Sequence, residues 1–199
     1  MDRSIRRMIK EHIDLFVDVE ESLSPKIRMA AEWMIDTLES GNKILFAGNG
    51  GSASDAQHLA AEFIGRFSRE RRSLPAIALT TDTSILTALG NDYGFDKIFS
   101  RQVEGLAKEG DLFIGISTSG NSGNLMAAVE ECKVKTCKTI GFLGRDGGKL
   151  GKMVDLPIVV ESKNTARIQE FHIMMGHILC DLVEKQFARE TSEGELESK

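Results

Sequence analysis

The sequence places a histidine and a glutamate one helical turn apart, in the segment Gln57-His58-Leu59-Ala60-Ala61-Glu62. Because His58 and Glu62 are four positions apart, a helix presents both on one face. An imidazole and a carboxylate at this spacing can bind a metal ion together or act as an acid–base pair. A surface ion pair is the simplest alternative. The predicted helix begins directly at a loop suited to phosphate, and this position favours a functional pair.

A second pair of polar side chains lies in an otherwise apolar helical segment near the C-terminus. Gln169 and His177 are eight residues apart, so they share a face but are separated by about 12 Å along the helix axis. With His58 and Glu62 they form a candidate site for a divalent metal, although glutamine is an unusual zinc ligand. Either both side chains extend toward one metal, or one of them serves the site of a neighbouring subunit. For His177 alone, a buried and hydrogen-bonded core histidine is the alternative.

Two loops rich in glycine and hydroxyl groups, Gly48 to Ala53 and Ser117 to Ser122, each follow an apolar run. A buried parallel strand that ends in free N–H groups and leads into a helix builds an anion site. The first loop also matches a dinucleotide fingerprint, but Asp82, at the end of the next strand, comes too late to hold a ribose. The second loop carries four Ser/Thr hydroxyls, which suit a terminal phosphate. The loops therefore favour a phosphate monoester over a dinucleotide, with plain strand-to-helix turns as the alternative.

Asn91 and Asp92 are two further polar residues, in the connection that follows Gly90. Short polar side chains in a loop suit the recognition of sugar hydroxyls. They are equally ordinary turn residues, so the pair alone does not decide between the two interpretations.

The elements that must position these residues alternate between strand-like and helical patterns. Strands are predicted at 43–47, 75–79, 111–116, 138–143 and 156–160, and helices at 53–66, 96–106, 123–135 and 165–188. Strands that are apolar throughout and separated by helices indicate a parallel sheet covered on both faces. The sequence therefore predicts an α/β fold.

Before the first strand, residues 3–21 and 25–40 have helical periodicity, and Ser24-Pro25 is a good helix start between them. This pattern predicts a helical hairpin over residues 1–40. Its apolar faces pack either on the sheet or against a partner subunit. We favour the partner, because two amphipathic hairpins form a four-helix bundle across a two-fold axis. We take residues 1–188 as a single domain and expect the polar segment 189–199 to be a disordered tail.

Composition excludes several classes of protein. The chain has 199 residues and a net charge of −5, which fits one soluble domain without the basic stripe expected of a nucleic-acid-binding protein. No apolar run approaches the roughly 20 residues that span a bilayer, and the charged N-terminus lacks a signal-peptide pattern. The three cysteines fit neither a zinc pattern nor a disulfide framework and are expected to be small buried hydrophobes. We therefore expect a cytoplasmic protein with no membrane partner.

Over roughly residues 5–188 the chain resembles the phosphoheptose isomerases, enzymes of the sugar-isomerase (SIS) domain family. The resemblance rests on six motifs. They are Ala47 to Ser52, Gln57 to Glu62, Gly90 to Asp92, Gly115 to Ser122, Gly144 to Gly148, and Ala166 to His172 followed by His177.

The resemblance implies a flavodoxin-like SIS fold, a three-layer sandwich around a central parallel sheet. It also implies a homotetramer with active sites at subunit interfaces and one zinc ion per site. The implied zinc ligands are His58, Glu62, Gln169 and His177. The implied substrate contacts are Asn49, Gly50, Gly51, Ser52, Glu62, Asn91, Asp92, Ser117, Thr118, Ser119, Ser122 and Gln169, with the phosphate in the 117–122 loop and Ser52 nearby.

The implied reaction converts the ketose sedoheptulose 7-phosphate to the aldose D-glycero-D-manno-heptose 7-phosphate through an enediol. This aldose–ketose isomerisation supplies ADP-heptose biosynthesis for the lipopolysaccharide core or another bacterial glycan. In our hypothesis Glu62 carries the proton between C1 and C2, and His177 is the partner acid–base at the oxygens. Zinc would polarise the carbonyl. Because a tight zinc ligand is not also a free base, we expect Glu62 to exchange between the two roles.

Two alternatives belong to the same fold. One is a non-catalytic SIS-domain tetramer that binds the bacterial replication initiator, a branch in which serine replaces the residue equivalent to Glu62. The other is an arabinose 5-phosphate isomerase, which usually carries additional domains for which 199 residues leave no room. Glu62, His177 and the complete 117–122 loop favour the phosphoheptose isomerase.

Overall fold

A computed structural model describes the backbone of residues 1–197 and the side chains within that range except those of 18, 19 and 189–197. The helices and strands follow one another in regular alternation after a long first helix. In chain order they are α1 (Asp2–Glu39), β1 (Ile44–Gly48), α2 (Gly51–Ile64), β2 (Ala76–Ala78), α3 (Thr83–Asp92), α4 (Ser100–Leu106), β3 (Leu112–Ser117), α5 (Gly123–Val134), β4 (Lys138–Gly144), β5 (Leu156–Val160) and α6 (Thr165–Glu197), with 3₁₀ turns at Phe95–Lys97 and Leu150–Lys152.

The five strands form one parallel sheet in the order β2-β1-β3-β4-β5. Every residue of β1 and of β3 is buried, as expected of central strands covered on both faces. In this strand order the direction of winding changes between β1 and β3, and ligands bind at the carboxyl ends of the strands at such a switch point. The predicted parallel α/β sheet is confirmed.

Helices cover both faces of the sheet and make three layers. On one face α1, α2 and α6 pack around residues such as Met34, Leu59 and Val183. On the other face α4 and α5 pack around Val103 and Leu125. The three-layer sandwich predicted from the resemblance is therefore present.

The N-terminal hairpin was predicted wrongly, because residues 2–39 form the single helix α1 with Pro25 inside it. Proline removes one backbone donor from the helix, but Pro25 is exposed, so water can satisfy the carbonyl that loses its partner. The Ser24 hydroxyl donates to the Glu20 carbonyl oxygen at 2.5 Å instead of capping a new helix. Leu23 and Ile27, on either side of the proline, are buried on the same face and hold the two halves in line.

A helix also replaces the predicted connection at residues 83–92. Asp82 caps α3, since its carboxylate accepts a hydrogen bond of 2.9 Å from the backbone N–H of Ile85. No residue of α3 is fully buried, and Leu86 and Leu89 pack only in part against the core, so the apolar side of this helix is short.

At the C-terminus α6 runs to Glu197, so helix extends into the segment 189–199 for which the composition predicts disorder. Residues 198 and 199, and the side chains of 189–197, lie outside the described residues. The division of the chain at residue 188 stays a prediction.

Two expectations from composition concern membrane-spanning helices and the three cysteines. Among their helices, none is both long enough and apolar enough to cross a membrane. Cys132, Cys137 and Cys180 are buried and form no disulfide. Burial raises the pKa of Cys137 to about 11 and that of Cys180 to about 12, so both remain neutral thiols, as predicted for small core residues.

Candidate active site

The two loops predicted to bind phosphate lie side by side at the switch point of the sheet. Gly48, the last residue of β1, pairs in register with Ile116 of β3. The side chains of Asn49 and Asn124 exchange amide hydrogen bonds of 3.0 and 2.8 Å. Asn124 is buried at the start of α5, so this pair fastens the first loop to the helix that follows the second.

The second loop gathers its hydroxyl groups around its own turn. The Ser117 and Ser122 hydroxyls are 2.9 Å apart, and the Gly120 N–H donates to the Ser117 oxygen at 3.2 Å. The Asn121 N–H donates to the Ser119 hydroxyl at 3.2 Å. Thr118, Ser119 and Ser122 are half-buried, so they remain accessible to a ligand. Converging hydroxyls at the start of a helix suit a phosphate group.

The first loop leads into α2 at Gly51, and Gln169 of α6 packs against this point. A Cβ atom at Gly51 would lie 2.4 Å from the Gln169 amide nitrogen, closer than non-bonded atoms can approach. Glycine is therefore required here if the amide is to reach the start of α2. Ser52, the next residue, is buried.

Two turns further along α2, His58 meets His177 of α6. Their Nε2 atoms are 3.0 Å apart, and the Glu62 Oε1 atom lies 3.3 Å from His58 Nε2. The ring of Phe67 lies against the His177 ring with centroids 5.5 Å apart. The structure thus brings together three of the four predicted metal ligands, which include both predicted catalytic residues.

Close packing of α2 against α6 produces this meeting. A Cβ atom at Gly176 would lie 2.5 Å from Leu59 Cδ2, so a larger residue here would push the helices apart or displace the Leu59 side chain. Leu59 and Gly176 are the immediate neighbours of His58 and His177. The two helices run in the same direction along this contact, and Gln169 therefore faces Gly51 while His177 faces His58.

One protomer does not assemble the complete four-ligand set. Gln169 is eight residues, or about 12 Å of helix rise, from His177, and it lies at the start of α2 rather than beside His58. Across the described residues, no three His, Cys, Asp or Glu side chains form a ready metal centre. The single chain therefore does not support the alternative in which Gln169 and His177 of one protomer extend to the same metal ion.

The donor chemistry nevertheless fits zinc. Zn–N bonds of about 2.0–2.1 Å at tetrahedral angles separate two nitrogen ligands by about 3.3 Å, close to the 3.0 Å between the two Nε2 atoms. The Glu62 oxygen stands at a similar distance from His58. Two imidazoles and a carboxylate are ordinary zinc ligands.

Asn91 and Asp92 lie in the last turn of α3 and not in a loop, which corrects their predicted setting. Both are exposed. Within the described residues, the hydrogen bond of the Asn91 side chain goes to Asp92 at 2.7 Å and not to the loops or the histidines. Their predicted contact with substrate stays a prediction.

Asp55, one turn before His58 on α2, is a site residue that the sequence did not predict. Its Oδ2 atom is buried and has no hydrogen-bond partner within the described structure. Burial raises the pKa of this carboxyl, and the nearby His58 works in the opposite direction. Buried polar atoms are almost always hydrogen-bonded, so the unpaired oxygen marks Asp55 as a further candidate residue of the site. The signal available in the sequence was the position of Asp55, one turn before His58 and near the start of the helix that follows the first loop.

His172 is a structural residue rather than a ligand. It is completely buried, and its Nε2 lies 3.1 Å from the Leu143 carbonyl oxygen. Burial lowers the pKa of His172 to about 4, with the Leu143 hydrogen bond as a smaller opposing effect. The ring is therefore neutral near pH 7 and donates from Nε2.

Three comparisons with known proteins show what the chain is similar to. Residues 8–144 match the family model described as the SIS domain. The chain is 57% identical over 183 residues to the phosphoheptose isomerase of Nitratiruptor sp., covering 92% of this chain and 98% of that protein. Its structure is similar to that of phosphoheptose isomerase GmhA from Neisseria gonorrhoeae, with a TM-score of 0.88, 45% identity, and coverage of 92% and 98% of the two chains. A structure from Francisella tularensis, also a phosphoheptose isomerase, matches with a TM-score of 0.87 at 39% identity over 92% of this chain and 97% of that one.

Proposed function

The chain belongs to the phosphoheptose isomerases of the SIS-domain family, and from this premise we propose how its residues carry out the reaction. It is an aldose–ketose isomerase that converts sedoheptulose 7-phosphate to D-glycero-D-manno-heptose 7-phosphate for heptose biosynthesis. The observation that carries the proposal is the meeting of Glu62, His58 and His177 beside the helix that begins at the first loop.

Phosphate recognition is assigned to the second loop. Ser117, Thr118, Ser119 and Ser122 surround its turn, and free N–H groups at the start of α5 add positive potential. The first loop contributes Asn49, held by Asn124. The substrate is elongated, and its phosphate is at the opposite end from C1 and C2. An anion site at the switch point and an acid–base cluster two turns along α2 suit such a molecule.

The proton transfers are assigned to Glu62 and His177. The Glu62 carboxylate removes a proton from C1 of the ketose, the electron pair forms the C1–C2 double bond, and the C2 carbonyl oxygen gains a proton. The resulting enediol loses the proton on O1 as the carboxyl group returns its proton to C2, which yields the aldose. His177 moves the proton between the two oxygens. Because Glu62 is only 23% exposed, it is partly shielded from bulk water.

Zinc, when bound, supplies a positive charge that stabilises the oxygen on which negative charge develops. His58, His177 and Glu62 would hold it within one protomer, and Gln169 of a neighbouring protomer would be the fourth ligand. Support comes from the convergence of the two Nε2 atoms and from the position of Gln169, two turns away from them. Glu62 would alternate between holding the metal and accepting the proton.

We further propose a homotetramer in the cytoplasm. An apolar stripe that α6 leaves partly exposed runs along the first half of α1. It consists of Ile5, Ile9, Ile13 and Val17, which are 47–67% exposed. Exposed stripes of this kind usually mark a contact between subunits.

Proton NMR of sedoheptulose 7-phosphate incubated with the purified protein tests the proposal. We expect new anomeric heptose signals that disappear when a chelator removes the metal and return with added zinc. Product formed equally well in the presence of chelator would contradict the metal assignment. A spectrum that does not change under any condition, from folded protein, would contradict the function itself and favour a non-catalytic binding protein.

A further inference from the structure

Glu184 is a buried carboxylate on α6 that takes no direct part in the proposed reaction. It is 1% exposed. Its Oε1 atom accepts a hydrogen bond of 2.8 Å from the Phe67 N–H. Its Oε2 atom accepts from the N–H groups of Ser68 and Arg69 at 2.8 and 2.9 Å and from the Ser68 hydroxyl at 3.1 Å. Three consecutive backbone donors thus surround one carboxylate, as in a backbone anion nest.

The same carboxylate faces Arg71, whose side chain is also only 1% exposed. Arg71 Nε is 3.7 Å from Glu184 Oε1. The guanidinium donates to the carbonyl oxygens of Glu62 and Gly65, each at 2.7 Å, and so satisfies orphan carbonyls where α2 ends. Through Arg71, Glu184 holds the turn of α2 that carries the Glu62 side chain.

A second set of contacts connects Glu184 with the active site. Glu184 binds the backbone of Phe67, whose ring lies 5.5 Å from the His177 ring. His177 is two turns before Glu184 on the same face of α6. The ring of Phe67 therefore limits the positions that the His177 imidazole can take opposite His58.

We propose that Glu184 is a positioning residue for the isomerisation. Its carboxylate organises residues 67–71 so that Phe67 presses on His177 while Arg71 holds the end of α2 beneath Glu62. This role rests on the proposed function of Glu62 and His177. The phosphate loops, at the switch point of the sheet, have no contact with this network in the described structure. The proposal therefore concerns the rate of proton transfer rather than the binding of the phosphate.

A carboxylate is needed because every group that faces it is a donor. In Glu184→Gln the amide nitrogen would face N–H groups, so at least one donor would lose its acceptor and the loop would move. Displacing catalytic groups by about 1 Å can cost roughly 10²-fold in rate. We expect kcat for sedoheptulose 7-phosphate to fall by about tenfold to 10²-fold. The KM should change by less than about twofold, because the contacts that bind the phosphate equally in the ground state and the transition state are not altered.

Asp111→Asn is the matched control. Asp111 is equally buried and accepts backbone N–H bonds from Lys43 and Lys108 at 3.0 and 2.8 Å, but it lies at the start of β3 and its hydrogen bonds are to these two lysines rather than to residues 67–71. The control should lower the melting temperature about as much as Glu184→Gln without lowering kcat. Glu184→Asp, which keeps the charge, should recover part of the rate. Equal losses of kcat in Glu184→Gln and Asp111→Asn would overturn the proposal, as would an unchanged kcat in Glu184→Gln.

A double-mutant cycle tests the connection through Phe67. If Glu184 acts partly through this ring, Glu184→Gln should cost a smaller factor in kcat when Phe67→Leu is already present. Strictly multiplicative effects would rule out that route.

An NMR measurement that does not depend on catalysis separates this inference from the proposed function. In NMR spectra of the histidine Cε1–Hε1 groups, assigned with His177→Gln, the His177 signal should shift in Glu184→Gln and stay in place in Asp111→Asn. If the wild-type protein does not isomerise the sugar phosphate, the proposed function fails, yet this shift still decides whether Glu184 positions His177. A His177 signal that is the same in wild type and Glu184→Gln would show that it does not.

Discussion

Glu62 combines two features that a proton-transferring carboxylate needs. It lies beside His58, with 3.3 Å between Oε1 and Nε2, and its side chain is only 23% exposed. The backbone of its turn is held by Arg71. A carboxylate held in this way can return a proton to the same face from which it was taken.

Replacing Glu62 by glutamine keeps the shape and removes the base. We expect kcat for sedoheptulose 7-phosphate to fall by roughly 10²- to 10⁴-fold, measured with added zinc so that weaker metal binding is not limiting. Glu104→Gln removes an exposed carboxylate that pairs with Arg101 on α4 and should leave kcat unchanged. Near-normal turnover of the Glu62 variant would mean that another group carries the proton.

His172 makes a separate prediction for stability. Burial lowers its folded-state pKa to about 4 from an ordinary value of 6.5, so between these values the unfolded chain binds a proton that the folded chain does not. Stability from this residue is therefore complete above pH 6.5 and is lost as the pH falls toward 4. The loss amounts to roughly 3 kcal/mol.

The test compares wild type with His172→Gln, in which an amide can still donate to the Leu143 carbonyl. Denaturant unfolding from pH 7.5 to 4, at one protein concentration, should show a steeper decline for wild type than for the variant. Parallel curves would mean that His172 is protonated in the folded protein or does not titrate in this range.

At the scale of elements, the contact between α2 and α6 decides whether the site exists. The histidines meet because Gly176 lets Leu59 approach α6. The same contact, with both helices running in one direction, places Gln169 at the other end of α2. Helical spacing in the sequence places Gln169 and His177 on one side of α6. It does not reveal which part of α2 each of them contacts.

Gly176→Ala tests this packing. The added Cβ would meet the buried Leu59 side chain at 2.5 Å, so the helices must separate or Leu59 must leave its rotamer, at a cost of about 1–3 kcal/mol. We expect a lower melting temperature together with a lower kcat, because His58 and His177 move apart. Gly105→Ala on α4, where a Cβ would meet no atom within 4 Å, is the control and should be neutral or slightly stabilising. A Gly176 variant with normal kcat would show that the site tolerates the separation.

At the scale of the whole molecule, the first half of α1 carries exposed apolar side chains that the rest of the described chain does not cover. Its side toward α6 is held by a 2.6 Å contact between His12 and Glu170 and by a hydrogen bond of 2.7 Å from Arg167 to the Met8 carbonyl oxygen. The isoleucine and valine stripe lies beside these contacts and is still 47–67% exposed, and Ile5 and Ile9 line the same groove as His12 and Glu170. The packing of α1 on α6 within one chain thus leaves this apolar stripe incompletely covered, and a partner subunit would cover the rest.

Ile9→Lys with Ile13→Lys tests the proposed assembly. Two charges in the stripe should prevent its burial, and light scattering after size exclusion should show a smaller species than wild type. The helical content should remain, because these side chains are already 54–55% exposed in the single chain. Val134→Lys, at an isolated exposed valine, should not change the assembly. A variant of unchanged mass would place the subunit contact elsewhere.

The sequence alone determined the features that depend on neighbouring residues. Apolar runs followed by Gly and Ser predicted β1 and β3 with their anion loops, because strand burial and turn chemistry are local properties. Helical spacing put His58 and Glu62 on one face. The family motifs identified the isomerase, and the comparisons bear this out.

The tertiary structure decided what depends on residues far apart in the chain. Ser24-Pro25 has the local pattern of a helix start, yet burial of Leu23 and Ile27 keeps α1 continuous. The direction in which α6 packs on α2 placed Gln169 at Gly51 and His177 at His58. Glu184 accepts hydrogen bonds from donors 115–117 residues away. Such contacts form only when the sheet and its two helical layers assemble, since the free energy that selects them comes from packing of the whole domain and not from local preference.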